Sequence, residues 1–210
     1  MESRSQEIRA KNNSSIRINV IPGHFATNQS HINYYIDLTR PKCRQQDAKL
    51  AAEELASMFA GQQIDTIVCM DDTQMVAAFL AEQLSSTMNV NSGANINVLV
   101  PEYNSNNQMI FRDNIQKMIW KKKVLLLIAS ATTGKTVRRS LECLNYYSGE
   151  IIGVAAIFSA IDEIDDIPVH YIFGTEDIPD YNTYSYRECP ACAGGYKIDA
   201  IINSHGYSKI

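Results

Sequence analysis

The stretch Leu125 to Thr136, LLLIASATTGKT, concentrates groups that can hold an anion. Thr132, Thr133 and Thr136 supply hydroxyls, Gly134 supplies backbone freedom and Lys135 a positive charge, all soon after four bulky apolar residues. Residues Ala129 to Thr136 match the nucleotide-binding pattern GxxxxGK[ST] at every fixed position but the first. There an alanine β-carbon stands where a loop wrapping a polyphosphate needs glycine. A short turn of backbone N–H groups at a helix start, ringed by the same hydroxyls, would instead cradle a single phosphate. A third reading gives the turn no ligand and makes Thr136 an ordinary helix cap.

Other residues invite the same weighing. Asp71 and Asp72 stand in MDDTQ, between an apolar run and a helical pattern. They could hold a metal against a bound diphosphate, or one of Asp71, Asp72 and Thr73 could cap the helix. Cys189-Pro-Ala-Cys192 has the spacing of half a zinc site, with His170 and His205 as candidate further ligands. A zinc site needs four ligands and no second pair at zinc spacing is evident, so the expectation is no bound metal. His24 and His31 flank Phe25 and could reach a ligand, or simply hydrogen-bond on an N-terminal hood. Trp120-Lys-Lys-Lys123 reads as solvated lysines at a strand entrance.

These residues need a scaffold, and the hydrophobic periodicity outlines one. A strand pair is expected near Ile16–Ile21 and Tyr34–Leu38. Ala48, Ala51, Ala52, Leu55 and Phe59 then recur at helical spacing before Gly61. IDTIVCM, INVLV, VLLLIA and EIIGVAAIF read as strands, with TQMVAAFLAEQL and TVRRSLECLNYY as helices between them. Strands alternating with helices predict an α/β fold with a mainly parallel central sheet, Leu125–Ile128 lying on an interior strand. Ligands of such sheets bind at the carboxyl ends of the strands, where the threonine-rich turn falls.

Composition narrows the function class. The 210 residues are 45% hydrophobic and 20% charged with a net charge of −4, which is globular and gives no basic footprint for nucleic acid. The polar start and the lack of long apolar runs predict no membrane partner and a cytoplasmic location. Five scattered cysteines fit reduced thiols. Residues 1–15 are expected to be a flexible tail, and 16–210 one domain.

VLLLIASATTGKT resembles the phosphoribosyl diphosphate motif of the type I phosphoribosyltransferases, commonly close to VLVVDDVITTGGT, without a gap over thirteen residues. GHFATNQSHINYYIDLTR resembles the N-terminal segment of the orotate-type enzymes, and ECPACAGG a Cys-Pro-x-Cys tail found in some of them. The resemblance implies the type I phosphoribosyltransferase fold with a small hood built from the N- and C-terminal segments. It implies 5′-phosphate binding by Thr132, Thr133, Gly134, Lys135 and Thr136, and base binding by Tyr35, Ile36 and Thr132. Asp71, Asp72 and Thr73 would form the diphosphate loop, Mg²⁺ would be the cofactor of an active enzyme, and a homodimer is the usual assembly. The implied reaction joins phosphoribosyl diphosphate to a nitrogenous base, in nucleotide biosynthesis or salvage. This chain departs from the pattern where two acidic residues should grip the ribose hydroxyls and Ile128-Ala129 stand instead. The segment resembling the catalytic loop offers only Arg112, and Ala160 occupies a position where arginine is usual. The alternative implied by those departures is a non-catalytic regulatory protein that binds a nucleoside monophosphate or phosphoribosyl group.

Overall fold

The computed structural model describes residues 1–86, 90–105 and 108–210. The N-terminal part contains β1 (Gln6–Arg9), β2 (Arg17–Ala26), β3 (His31–Asp37), α1 (Thr39–Cys43) and α2 (Gln45–Met58). The middle contains β4 (Thr66–Cys69), α3 (Gln74–Leu84), β5 (Asn97–Leu99), β6 (Glu102–Tyr103), β7 (Met109–Ile110) and α4 (Asp113–Gln116). After these come β8 (Lys123–Ala131), α5 (Lys135–Tyr146), β9 (Glu150–Ser159), β10 (Glu163–Ile164) and β11 (Ile167–Phe173). The chain ends with β12 (Thr183–Tyr184), α6 (Pro190–Ala193), β13 (Ala200–Asn203) and β14 (Gly206–Lys209).

The core sheet has the order β10-β11-β9-β8-β4-β5, and every neighbouring pair except β10–β11 is parallel. Its interior strand β8 shows why four apolar residues run together. Leu125, Leu127 and Ala129 face one cluster, with Ala48, Ala51 and Leu55 of α2 and Val76 and Leu80 of α3. Leu126 and Ile128 face the other, with Val137, Leu141 and Leu144 of α5. A strand covered by helices on both faces has no polar side, so alternation disappears from its sequence. Leu125 and Leu127 are fully buried, as the sequence predicts.

A second sheet forms the hood, with order β12-β3-β2-β13-β14 and β1 paired to β2. Residues 1–15, expected to be a flexible tail, contain β1 in antiparallel register with β2, Gln6 opposite Val20 and Arg9 opposite Arg17. Arg4 also reaches Asp199 at 2.8 Å. The physical reason is the edge of β2, whose backbone groups β1 satisfies with little apolar burial of its own. The terminal stretch IDAIINSHGYSKI adds two more strands. Ala200 of β13 lies opposite Phe25 of β2 in parallel, and β13 turns back into β14 through Ser204 and His205. Among the described residues no helix is long and apolar enough to cross a membrane.

Candidate functional site

A cleft of about 840 Å³ separates the hood from the carboxyl ends of the core strands, within the ~300–1,000 Å³ usual for small-molecule sites. On the core side it is lined by Asp71, Asp72, Ser130 and the whole turn Thr132–Thr136. On the hood side are Thr27–Ser30, Tyr35, Ile36 and the β13–β14 tip.

Geometry argues against two of the turn's three readings. Strand β8 continues to Ala131, so Ala129, Ser130 and Ala131 stay extended and only Thr132, Thr133 and Gly134 turn. Three residues cannot wrap a polyphosphate as the GxxxxGK[ST] loop does, and the P-loop reading falls. The ordinary-cap reading falls too. Gly134 is the N-cap of α5, with φ of 71°, and Thr136 lies inside the first turn. Gly134 has no side chain with which to bond the first free N–H groups, so those groups and the positive end of the helix dipole open on the cleft. Lys135 and Thr136 are exposed beside them.

The loop after β4 decides among the cap candidates of its sequence reading. Thr73 is the N-cap of α3, so neither aspartate caps that helix. Thr73 is fully buried and its hydroxyl donates to the Met70 carbonyl at 2.6 Å, which removes it from any diphosphate contact. Asp71 and Asp72 both adopt left-handed backbone, with φ of 55° and 61°. Two successive non-glycine residues in that region cost about 1–2 kcal/mol each and hold their carboxylates at the cleft. Burial pushes the Asp71 carboxyl up, while the Lys42 charge and the Ala129 backbone N–H draw it back. Asp72 Oδ2 lies 2.6 Å from His205 Nδ1 and 3.8 Å from Lys42 Nζ.

Tyr35 and Ile36 line the cleft, but they do so from a strand with one open edge. Strand β12 meets β3 only at His31 and Ile32, and among the described residues no strand pairs with Tyr35 or Ile36 on that side. Backbone groups there are available to a flat ligand. The Tyr35 ring is buried against Phe25 and Tyr207, and desolvation pushes its hydroxyl up to about 12. Arg112 is tied to Glu102 by two bonds of 2.7 and 2.9 Å and does not line the cleft.

Sequence reasoning missed Ser130 and His205 as residues of this cleft, and Lys42 as a neighbour of its Asp72. Lys42 has a nearly buried side chain whose Nζ donates to the Ser204 carbonyl at 2.6 Å. Ser130 follows the buried pair Ile128-Ala129 and is the first exposed hydroxyl of β8. Its alternation with those apolar neighbours was the available signal.

The expectation that Cys189 and Cys192 lack a second ligand pair does not survive. His24 and His31 stand beside them, and one donor atom from each of the four residues falls within 4.8 Å of the others. His170 packs instead on the Phe59 ring, and His205 is at the cleft.

No family model matches the chain. It is 26% identical over 180 residues to an orotate phosphoribosyltransferase of Caldicellulosiruptor saccharolyticus, covering 85% of this chain and 87% of that one. A phosphoribosyltransferase from Corynebacterium diphtheriae superposes with a TM-score of 0.52 at 21% identity, over 76% of this chain and 90% of the other. The chain has the type I phosphoribosyltransferase fold and is orotate-type in its sequence likeness. Mycobacterium tuberculosis orotate phosphoribosyltransferase, solved with 5-phospho-α-D-ribosyl 1-diphosphate, shares the fold with a TM-score of 0.51 at 16% identity, over 69% of this chain and 82% of that one. Within this phosphoribosyltransferase fold, the side chains of Ile128 and Ala129 are buried in the two core clusters. The only carboxylates lining the cleft among the described residues come from the neighbouring strand end, as Asp71 and Asp72.

Proposed function

We propose that the cleft binds a 5-phosphoribosyl group and transfers it from phosphoribosyl diphosphate to a nitrogenous base. The observation that carries this reading is the open N-terminus of α5, faced across the cleft by the free edge of β3. Thr132–Thr136 hold the 5′-phosphate through backbone N–H groups and hydroxyls. Tyr35 and Ile36 offer backbone groups to the base, whose other face rests near Thr132. In the transfer, the bond from ribose C1 to the diphosphate oxygen breaks with its electrons leaving on diphosphate. A base nitrogen forms the new bond to C1 and loses its proton to solvent.

Asp71 and Asp72 are hard oxygen donors of the kind Mg²⁺ takes, and the desolvated Asp71 carboxylate gains from a nearby cation, so the residues present fit that ion. When bound, Mg²⁺ would supply charge neutralisation for the departing diphosphate. Lys42 adds positive charge beside Asp72, 3.8 Å from its Oδ2. The expected assembly is a homodimer, which sedimentation measures directly.

A second reading, a non-catalytic phosphoribosyl-binding regulator, is favoured by the burial of Ile128 and Ala129 where acidic residues would grip the ribose. One experiment separates the two. The protein is mixed with phosphoribosyl diphosphate, Mg²⁺ and a panel of free bases, and diphosphate is measured while calorimetry follows nucleoside monophosphate binding. Base-dependent diphosphate release supports transfer. Monophosphate binding without release supports the regulator, and absence of both rejects this use of the cleft.

A further inference from the structure

We propose that His24, His31, Cys189 and Cys192 form a closed, four-ligand structural zinc site that staples the β2–β3 hairpin to the C-terminal segment. The distances argue first. His24 Nε2 lies 3.0 Å from His31 Nδ1, 3.4 Å from Cys189 Sγ and 3.6 Å from Cys192 Sγ. Cys192 Sγ lies 3.2 Å from His31 Nδ1. A tetrahedral ion with Zn–N of ~2.05 Å and Zn–S of ~2.3 Å separates its ligands by about 3.3 Å for two nitrogens and about 3.6 Å for nitrogen and sulfur. Four of the six separations are therefore close to those of such a coordination shell, and all six fall within 4.8 Å.

The orientation of His24 argues second. Its Nδ1 lies 3.2 Å from both the Tyr196 and Lys197 carbonyls. Carbonyls only accept, so Nδ1 carries the proton and Nε2 presents its lone pair to the centre of the cluster. A histidine ligand is usually fixed this way by a backbone carbonyl on its far nitrogen. The His31 ring is held from the side by Tyr186, whose centroid is 5.2 Å away in an edge-to-face arrangement.

The charge argues third. Zn²⁺ takes two thiolates and two neutral imidazoles, releases two thiol protons to water and leaves a neutral centre. That suits Cys189, His24 and His31, which are buried and so disfavour a net charge. Cys192 is exposed and gives the ion a way in. All four positions are filled by protein, so the site is structural and has no open coordination place for catalysis.

Its position explains what it would do. His24 is on β2 and His31 opens β3, with the tip Thr27–Ser30 between them lining the cleft. The cysteines sit at the start of α6, just before β13. One ion would fix both the tip and the β13–β14 hairpin that carries His205.

The test is metal analysis of the full chain, purified reduced, incubated with zinc and desalted. About one zinc per chain is expected, released when the thiols are modified. Chelation should lower the thermal midpoint, and Co²⁺ replacing zinc should show thiolate charge-transfer bands. Cys192→Ser, at the exposed ligand, should lose those bands in part and bind zinc at least tenfold more weakly while remaining folded. If Cys189→Ser does not fold, the Co²⁺ spectrum of the wild-type chain and the Cys192→Ser variant still decide. Less than a tenth of an equivalent of zinc, iron or copper in its place, or full zinc retention in a Cys189→Ser/Cys192→Ser double variant would each overturn the proposal.

Discussion

His205 Nδ1 lies 2.6 Å from Asp72 Oδ2, so the tip of the C-terminal hairpin is pinned to the loop after β4 across the mouth of the cleft. Both side chains are substantially exposed, and an exposed pair contributes little to stability. His205→Ala should therefore leave the thermal midpoint nearly unchanged while altering ligand on- and off-rates severalfold. Stopped-flow binding of a nucleoside monophosphate checks this, and unchanged rates would show that the pin does not gate the cleft.

Asp71 carries a desolvated carboxyl beside a second carboxylate. Its folded-state pKa is raised above the unfolded value, so its contribution to stability is fully present below the unfolded pKa and is lost as pH rises through the folded one. Above that range the native state is penalised by a buried charge. Asp71→Asn tolerates the left-handed backbone and should raise the thermal midpoint at neutral pH. The gain should vanish in acid, where the wild-type carboxyl is protonated. Thermal melts of both proteins across the carboxylate range measure it, and Mg²⁺-dependent binding should fall in the same variant.

Gly134 joins two constraints. Its φ of 71° is left-handed, and an added β-carbon would stand 2.8 Å from Ile164 Cδ1 and 3.0 Å from Ile161 Cδ1. That β-carbon points to isoleucines of the core edge, so the loss on substitution comes from a displaced α5 start. Gly134→Ala should cost about 1–3 kcal/mol and weaken phosphate binding. Gly134→Asn, better suited to the backbone but equally crowded, separates the two causes by chemical denaturation.

Lys135 and Lys42 should differ. Lys135 is exposed at the first position of α5, where backbone N–H groups remain after its removal, so Lys135→Ala should weaken phosphate binding only modestly. Lys42 is nearly buried, donates to Ser204 and faces Asp72. Lys42→Met should weaken binding about tenfold or more, the scale of a lost charge-assisted bond. Calorimetry with the same monophosphate ranks them, and an equal or reversed order would contradict this account.

Much of the core was legible because its elements are defined by local pattern. The uninterrupted apolar run of β8 declares burial on both faces, and the alanine and leucine spacing of α2 declares a helix against a sheet. The threonine-rich turn was legible as a turn at a helix start for the same reason, since its hydroxyls, its glycine and the following helix are neighbours in the chain. Strand β1 and the β13–β14 hairpin were not, because their stability comes from pairing with a distant edge and not from their own apolar pattern.

What only the tertiary structure decided depends on contacts across long separations. The sequence left Asp71, Asp72 and Thr73 all open as the helix cap; the backbone makes Thr73 the cap and turns both carboxylates to the cleft. Lys42 is brought beside the cleft's Asp72 and Ser204 because the hairpin tip folds back to its ammonium, 162 positions away in sequence. Cys189 and His24 are 165 positions apart, and the histidines have no spacing that marks them as ligands. They meet the cysteines because β13 pairs with β2 at Ala200 and Phe25, and no local pattern of residues encodes which distant strand edge a chain end will find.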